Sequence, residues 1–422
     1  MKPLRNGIVV LLVLLVSLTG FVVADAQEYP DFGGQTITIT TWSSRPQRYL
    51  DEYAPGRLEE AEELFNCKIV IEVFPKGELA GINMNRLLSG DSAYDIWNME
   101  HDQFWPLVTQ GALLDVTGIL PADYYDNLHP LHQRMANAWR FLGKNYYVGA
   151  APAAYSAAYF LLYNKDLVEA EGIDDPYELW LEGEWDWDNF ERLMREVTKD
   201  TDGDGEIDQY GFNHEVHYQN WIPTNGANVV KEIDGKMVFA LHHEDAIYGL
   251  NKLYEWRSEG LMELDIPPEK ALFSMIQGWD VEYRALDWDG YRYAFVPYPA
   301  GPHADPDFYL APFWAQLGFA LPANSARPRE IVQVLDYLYP PEEFEEYLDS
   351  MIRTMVLDRD SYNAAQWMYE NAEVAVNFWK IILPSDEYDL LAVEATDDGG
   401  AASKMAAIAP AVQTLIDDLF GQ

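Results

Sequence analysis

The sequence has little cysteine and few basic side chains. Cys67 is the single cysteine among 422 residues, so an internal disulfide is excluded. Lysine and arginine total 28 against 70 aspartates and glutamates, which gives a formal net charge of −42. A field of that sign repels polyanions, so we expect no nucleic acid and no anionic lipid surface among the partners.

Several motifs of enzymes and nucleotide-binding proteins are also missing. The chain has no Gly-x-Ser-x-Gly elbow, no phosphate-binding glycine loop and no dinucleotide fingerprint. His214 and His217 resemble a zinc-protease helix, but the residue four positions after His214 is Tyr218, which is the wrong spacing. A glycosidase carboxylate pair stays open as an alternative, because 70 acidic residues allow many pairs.

The amino terminus has the pattern of a secretory signal. Lys2 and Arg5 precede the apolar run from Ile8 to Leu18, and small residues at 24–26 suit a cleavage position. The run is short for a permanent membrane span. We therefore expect a signal peptide over residues 1–26 and a secreted protein, periplasmic or extracellular. Because no cysteine lies near the cleavage position, a lipid anchor is not expected.

The mature chain alternates strand and helix patterns. Thr36 to Trp42 and Lys68 to Phe74 are rich in β-branched residues, and the helical stripe of residues 57–66 separates them. A second region of this kind follows Tyr159, where Asp186 is the expected cap of an amphipathic helix. The order predicts parallel α/β sheets, whose ligands bind at the carboxyl ends of the strands.

The stretch Lys199 to Phe212 is an acidic loop with a partial calcium pattern. Its candidate ligands follow the order of a calcium loop, but the twelfth position is Gly211 instead of a bidentate glutamate. A structural calcium site and an unmetallated acidic turn therefore both stay open. A catalytic role is not expected, because an open loop offers no desolvation to raise a carboxyl pKa. The tentative metal ligands are Asp200, Asp202, Asp204, Glu206 and Asp208.

The chain is unusually aromatic, with 14 tryptophans and 27 tyrosines. Trp42 ends the first predicted strand, Trp221 lies in a polar stretch interpreted as a loop, and Trp279 follows a glycine. Trp314 falls in a later strand-like passage. Sugar rings pack their C–H faces on aromatic rings, while carboxylates and amides bind their hydroxyls. The set of tryptophans beside turns and polar residues indicates carbohydrate binding.

Four stretches together resemble one known family, the extracellular solute-binding proteins of ABC importers, family 1, which includes maltose-binding proteins. The stretches are residues 87–120, 159–173, 185–212 and 293–302. Each motif alone is modest, but their order and spacing are specific, and the resemblance covers nearly all of the mature chain.

The resemblance implies an α/β fold of the two-lobed periplasmic-binding-protein type (type II), with lobes joined by hinge strands. The expected division is a signal peptide at 1–26, a first lobe at 27–155 and a second lobe at 156–312. The chain would return to the first lobe at 313–350, and a helical segment at 351–422 would pack on the second lobe. The implied protein is a monomer without cofactors, apart from the calcium alternative. It would not be an enzyme, but would deliver a carbohydrate to an ABC permease.

Residue by residue, the segment Met99 to Gln103 is similar to the Trp-x-His-Asp-Arg pattern of maltose-binding proteins. His101 and Asp102 match, whereas Met99 and Gln103 replace the tryptophan and arginine, so maltose itself is not implied. The expected ligand-binding residues are Trp42, Arg45, Glu100, Asp102, Gln103, Tyr155, Trp221, Asn225, Trp279, Asp280 and Trp314. Two other functions stay open: an enzyme on polysaccharide, and a sugar-sensing subunit of a membrane receptor.

Overall fold

The computed structural model shows two main sheets with helices on both sides. It describes residues 29–213, 218–263, 266–278, 292–305, 310–311, 317–371, 373–374 and 386–421. The expected signal peptide lies outside this part of the chain. No helix within the described part is long and apolar enough to cross a membrane.

The first lobe is built on a four-stranded sheet with strand order β14-β3-β1-β2. Strands β1, β2 and β3 run parallel, and β14 joins β3 antiparallel through the pair Gly318 and Met99. The strands are β1 (Thr36–Thr41), β2 (Lys68–Val73), β3 (Asp95–Met99) and β14 (Gly318–Ala320). A small hairpin adds β4 (Arg140–Phe141) and β5 (Lys144–Asn145).

Helices flank this sheet. Those of the amino-terminal part are α1 (Arg45–Arg48), α2 (Arg57–Leu64), α3 (Leu79–Ser89), α4 (His101–Thr109) and α5 (Pro130–Ala138). A π-helical turn, Tyr49–Tyr53, follows α1, and a 3-10 turn, Tyr125–Asn127, precedes α5. A later helix, α11 (Pro328–Leu338), packs against α2 and completes this layer.

The second lobe is built on a five-stranded sheet with strand order β10-β7-β11-β6-β12. Strand β6 runs antiparallel to both β11 and β12, and β7, β10 and β11 are parallel. The strands are β6 (Tyr159–Asn164), β7 (Tyr210–Asn213), β10 (Met262–Glu263), β11 (Ala271–Gln277) and β12 (Tyr293–Val296). The carboxyl ends of β11 and β12 and the start of β6 therefore share one edge.

Helices and a hairpin cover this second sheet. The helices are α6 (Lys165–Glu171), α7 (Pro176–Glu182), α8 (Trp187–Val197), α9 (Tyr218–Thr224) and α10 (Glu244–Ser258). The hairpin strands are β8 (Val230–Ile233) and β9 (Lys236–Phe239). A 3-10 turn, Pro268–Lys270, precedes β11.

Helix α8 shows how the sequence builds this lobe. The Asp186 side chain caps it by accepting from the backbone N–H of Asn189 at 2.8 Å. Phe190, Leu193 and Val197 recur at helical spacing and are fully buried. The apolar stripe of α8 is therefore the face that packs on the sheet.

The remaining chain is mostly helical and touches both lobes. Its helices are α12 (Phe344–Met355), α13 (Arg359–Asn371), α14 (Asp386–Asp397) and α15 (Ala401–Phe420), with a 3-10 turn at Pro341–Glu343. A two-residue pair joins β13 (Leu310–Ala311) to β15 (Glu373–Val374). Helix α13 packs on β12, while α14 packs on α10 and α15 on β9. The ring of Phe420, at the end of α15, lies 5.6 Å from that of Phe141 in the first lobe.

Candidate functional site

One end of each sheet lies next to the segment that connects the two lobes, which we call the crossing segment. Val148 pairs with Phe319 in the first lobe, and a 3-10 turn, Pro152–Ala157, then leads into β6. Helix α1, which follows the carboxyl end of β1, contacts that turn. In the second lobe Gly278 directly follows β11 and donates its N–H to the carbonyl of Ala158 at 2.8 Å. The carboxyl ends of strands from both sheets therefore lie beside this segment, where α/β sheets bind ligands, and we call the region between them the candidate cleft.

The approach at Gly278 is too close for any side chain. A Cβ atom there would lie 2.7 Å from the carbonyl oxygen of Tyr155. This contact holds the end of β11 against the crossing segment, so glycine is required at this position.

The first-lobe side of the cleft carries a half-buried aromatic ring beside a charged pair. Trp42 follows β1, and the ammonium of Lys76 lies 4.8 Å from the centre of its ring. The same ammonium lies 2.5 Å from Oε2 of Glu100, whose side chain is only 5% exposed. The indole Nε1 of Trp42 is buried and has no hydrogen-bond partner among the described residues. Trp42, Lys76 and Glu100 are called the first-lobe triad below.

Glu100 and Gln103 hold the start of α4. They form a capping box, in which the Gln103 Oε1 accepts from the Glu100 N–H at 2.9 Å. The Gln103 amide also donates to the Lys76 carbonyl at 3.0 Å. Both side chains are buried, and the hydrogen bonds described above hold Lys76 and Glu100 in place within the triad. Their roles as direct sugar ligands stay a prediction.

Two further candidates lie at the same edge with partly exposed side chains. Asp102 is in the first turn of α4, where the helix dipole favours a negative charge. Arg45 begins α1 and donates its backbone N–H to Oγ of Ser43 at 3.2 Å. The structure thus brings Trp42, Arg45 and Asp102 to one sheet edge.

His101 is a structural residue of α4. Burial lowers its pKa to about 3, and its Nε2 lies 2.9 Å from the carbonyl oxygen of Ala138. A neutral imidazole that donates to this carbonyl ties α4 to the end of α5. Its ring also stacks on Phe104 at 5.5 Å.

Tyr155 lies in the crossing segment and is fully buried. Its carbonyl oxygen accepts from the hydroxyl of Tyr369 at 2.8 Å, and its ring lies 6.0 Å from that of Tyr347. Tyr347 in turn contacts Tyr49 at 4.9 Å. Tyr155 therefore belongs to a tyrosine cluster that joins α12 and α13 to the first lobe.

The interpretation of Trp221 as a loop residue is wrong. Trp221 lies in α9 and is 1% exposed. Its ring packs against Phe190 at 5.0 Å, Tyr298 at 5.1 Å and Trp256 at 5.4 Å. A proline and several polar neighbours in the sequence made this segment look like a loop, although it is a helix whose inner face packs in the aromatic core. Trp221 is therefore not part of the proposed site.

Asn225 is also buried inside the second lobe. Its amide donates to the carbonyl of Asp245 at 2.7 Å, and its Oδ1 accepts from the N–H of His303 at 3.1 Å. A Cβ on Gly301 would lie 2.2 Å from that oxygen, so the loop after β12 is packed tightly on it. Asn225 fastens this loop in the structure. Trp279, Asp280 and Trp314, together with His214 and His217, lie outside the described residues.

A cavity of about 480 Å³ in the second lobe was not anticipated from the sequence. It opens beside the loop after β12, at the edge that faces the crossing. All of its described lining residues belong to the second lobe or to α13, and we call it the second-lobe pocket. Its aromatic lining is Trp180, Trp185, Trp187, Tyr298 and Trp367, and its acidic lining is Asp186, Asp188 and Asp305. The Trp-Asp-Trp-Asp run at 185–188 could have indicated this pocket. It was interpreted only as the capped start of helix α8.

The acidic loop connects α8 to β7, away from both sheet edges that border the cleft. One carboxylate oxygen each of Asp200, Asp202 and Asp204 lie within 4.8 Å of one another. Asp200 also accepts from the backbone N–H groups of Gly203 at 2.6 Å and Gly205 at 2.7 Å, and these bonds lower its pKa.

The other two tentative ligands are placed differently. The carboxylate of Asp208 accepts from the N–H and hydroxyl of Thr201 at 2.8 and 2.7 Å, which closes the loop. The Glu206 side chain is exposed. Oxygen donors of this kind suit calcium, and the calcium site stays a prediction.

The chain is similar to known proteins both in sequence and in structure. The chain matches the family "Bacterial extracellular solute-binding protein" over residues 42–343. A search of curated protein sequences finds no match. Many solved structures are similar. A cyclic α-maltosyl-1,6-maltose binding protein from Arthrobacter globiformis has a TM-score of 0.68 at 13% identity, over 92% of this chain and 100% of that one.

Two further structures agree with that likeness. The ABC substrate-binding protein Lmo0181 from Listeria monocytogenes, in complex with cycloalternan, has a TM-score of 0.63 at 14% identity, over 92% and 99% of the two chains. The maltose/maltodextrin-binding domain MalE from Bdellovibrio bacteriovorus, bound to maltotriose, has a TM-score of 0.54 at 18% identity, over 92% and 100%. The predicted two-lobed α/β fold is confirmed. Because the family match spans well over half of its residues, this chain belongs to the bacterial extracellular solute-binding proteins.

Proposed function

We propose that this protein captures an uncharged oligosaccharide between its two lobes and delivers it to the permease of an ABC transporter. Membership of the family supports solute binding. Three similar structures carry cycloalternan, maltotriose or maltotetraose, which supports an oligosaccharide as the solute. The expected signal peptide fits a protein that meets its solute outside the cytoplasm.

The observation that carries the proposal is the character of the two edges that border the crossing segment. The first-lobe edge offers the ring of Trp42 and the partly exposed carboxylate of Asp102. The second-lobe edge offers a pocket walled by tryptophans and carboxylates. Aromatic faces with carboxylate acceptors match the C–H faces and hydroxyls of sugars. Closure of the lobes would enclose a sugar between the two edges.

The test is calorimetry with a panel of uncharged di- to heptasaccharides that includes maltotriose and maltotetraose. Trp42→Ala and Asp102→Ala should each weaken binding about tenfold, as expected for a lost stacking ring or a lost charge-assisted hydrogen bond. Asp123→Ala changes an exposed carboxylate elsewhere in the first lobe and is the matched control. Trp279 and Trp314 are further stacking candidates from the sequence, and their replacement by alanine should weaken binding by a similar factor. A parent protein that binds no member of the panel would refute the proposal.

Delivery and the two alternative functions are tested separately. Solute-loaded protein should stimulate ATP hydrolysis by its permease complex in vesicles, whereas a receptor-only sensor should not. Release of shorter sugars from the panel during incubation would identify an enzyme instead. Light scattering should show a monomer.

A further inference from the structure

Three strand ends bring Trp42, Lys76 and Glu100 together at the first-lobe edge. Trp42 directly follows β1 and Glu100 directly follows β3, while Lys76 lies shortly after β2. Strand β1 lies between β2 and β3, so the segments after the three strands are neighbours. The N–H of Phe74 donates to the carbonyl of Thr41 at 2.7 Å, which ties the segments after β1 and β2 to each other. The order of strands in the sheet therefore assembles the first-lobe triad.

Lys76 is the shared member of the triad and its cation. Its ammonium lies 2.5 Å from Oε2 of Glu100 and 4.8 Å from the centre of the Trp42 ring. The Lys76 side chain is 42% exposed, so part of it is open to solvent at the edge that borders the candidate cleft. An ammonium beside an aromatic face suits an acidic sugar, because the ring takes the C–H face and the cation takes the carboxylate. Whether the site accepts acidic sugars therefore depends on whether Lys76 is available.

Glu100 keeps this ammonium occupied. The Glu100 side chain is only 5% exposed, and it also accepts from the backbone N–H of Gln103 in the capping box. A sugar carboxylate that drew Lys76 away would leave a buried acid without its counter-charge, which is more costly than breaking an exposed ion pair. A sugar carboxylate that approached Lys76 without displacing Glu100 would be repelled by Glu100 itself. Both routes disfavour an acidic sugar beside Trp42.

The rest of the protein's charge acts more weakly at this place. The formal net charge of −42 is spread over the whole chain. At physiological ionic strength, exposed charges more than about 8 Å apart are largely screened from each other. Selection by charge at the Trp42 ring therefore depends mainly on the groups next to it, which include Lys76 and Glu100.

We infer that Glu100 is a specificity-determining residue, which excludes acidic sugars from the Trp42 ring by keeping Lys76 paired. This inference rests on the proposed carbohydrate-binding function and assigns its preference for uncharged solutes to one residue. Removal of the Glu100 charge frees the ammonium beside the ring for the carboxylate of a uronic acid. The protein then gains affinity for acidic oligosaccharides, and a gain of this kind cannot result from a loss of structure.

The experiment measures, by calorimetry, the ratio of the dissociation constants for acidic and uncharged ligands. The probes are the uncharged panel and oligosaccharides of uronic acid of the same lengths, at an ionic strength of about 0.15 M. Glu100→Gln removes the charge but keeps an oxygen that can accept from Gln103. The double variant Glu100→Gln with Lys76→Met tests whether Lys76 carries the effect, since Arg45 lies at the same edge.

Glu62→Gln is the matched control in the same lobe. Glu62 also pairs with a lysine, Lys68, at 2.8 Å, and it also accepts from a backbone N–H, that of Ile69, at 2.8 Å. Lys68 is 63% exposed and is not part of the first-lobe triad. Loss of the Glu62 charge should therefore leave the affinities for both classes of ligand as they are in the parent.

We expect the parent to bind uncharged oligosaccharides at least about tenfold more tightly than acidic ones. Glu100→Gln should lower this ratio by about tenfold through tighter binding of the acids, and the gain should shrink in high salt. The double variant should lose the gain.

Three results would overturn the inference while the proposed function stands. One is a parent that binds acidic and uncharged sugars equally well. Another is weaker binding of uncharged sugars by Glu100→Gln with no gain for acids, which would make Glu100 a direct sugar ligand. The third is a gain that persists in the double variant, which would assign it to another cation. A parent that binds no member of the uncharged panel would end the proposed function itself.

Discussion

The ammonium of Lys76 lies 2.5 Å from the carboxylate of Glu100, at the edge of the first lobe that borders the cleft. The Glu100 side chain is 5% exposed and that of Lys76 is 42% exposed, so the lysine brings a counter-charge to a buried acid. Lys76 also lies over a face of the Trp42 ring. The ion pair with Glu100 therefore both stabilises the lobe and fixes the position of Lys76 beside Trp42 in the candidate site.

Lys76→Met should lower the free energy of unfolding by about 1–2 kcal/mol, because it leaves a buried carboxylate without its counter-charge. Lys68→Met is the control, since Lys68 pairs with Glu62 at 2.8 Å but is 63% exposed, and its loss should be below about 1 kcal/mol. Urea unfolding measures both. Equal losses in the two variants would show that the burial of Glu100 is unimportant.

Three histidines should make the protein less stable in acid: His101 and His132 are fully buried, and His129 is partly buried. Burial lowers the pKa of His101 and of His132 to about 3, and that of His129 to about 4. Unfolded histidine titrates near a pKa of about 6.5. Between these values the unfolded chain binds protons that the folded protein does not. Stability contributed by these groups is therefore complete above about pH 6.5 and is lost as the pH falls toward 3–4.

His132→Leu isolates one of these groups. Its ring lies 4.0 Å from that of Phe344, and neither ring nitrogen has a hydrogen-bond partner among the described residues. The variant should gain stability relative to the parent as the pH falls from 7 to 4.5, by about 1 kcal/mol or more. Urea unfolding at both pH values tests this, and a difference that does not change with pH would contradict it.

Asp336 should show the opposite dependence on pH. Burial raises the pKa of Asp336 to about 7, above its ordinary value of 3.8. Its contribution is therefore complete below about pH 3.8 and is lost as the pH rises through 7, because the folded protein must then ionise a buried carboxyl. Asp336→Asn should become more stable relative to the parent between pH 5 and pH 8, as measured by thermal unfolding.

The hydroxyl of Tyr124 connects this carboxyl to the crossing segment. It donates to Oδ1 of Asp336 at 3.0 Å and accepts from the N–H of Gly149 at 2.8 Å. Tyr124→Phe removes both bonds and should lower the free energy of unfolding by about 1–3 kcal/mol at neutral pH. Tyr146→Phe is the control, because the Tyr146 hydroxyl makes no such hydrogen bond to the described residues, and it should change the free energy of unfolding much less.

The acidic loop should bind calcium without influence on the sugar. Added calcium should raise the melting temperature, because an ion that binds the folded state stabilises it, and chelation should reverse the gain. Asp202→Asn with Asp204→Asn should remove the calcium effect and leave sugar affinity unchanged. If calcium neither binds nor stabilises the parent, the loop is an unmetallated acidic turn.

The sequence was sufficient for the elements with strong periodicity. The first two strands lie within one residue of their predicted positions, and α8 begins directly after its predicted cap, Asp186, because the β-branched runs and the stripe from Phe190 to Val197 are unambiguous. The first-lobe edge was also predicted, since strand ends in a parallel sheet share one edge.

The parts that could not be predicted depend on contacts between distant residues. Trp221 looked exposed because its neighbours in the chain are polar, but its partners Phe190, Trp256 and Tyr298 come from three other elements. Lys76 reaches Glu100 across 24 residues. In the second-lobe pocket Trp180 contacts Trp367, which is far away in the sequence, and no local sequence pattern predicts that contact.

Helix α15 contacts both lobes. It is anchored near its middle, where the Gln413 side chain accepts from the N–H of Phe239 at 2.9 Å, and its last ring lies against Trp105 and Phe141 of the other lobe. Its 20 residues span about 30 Å, so a lobe rotation of about 10° would displace one end by about 5 Å. A fluorophore attached at Gly421 would then change its surroundings whenever the cleft closes. If the lobes close over a sugar as proposed, this end of the helix is an attachment point for an optical reporter of binding.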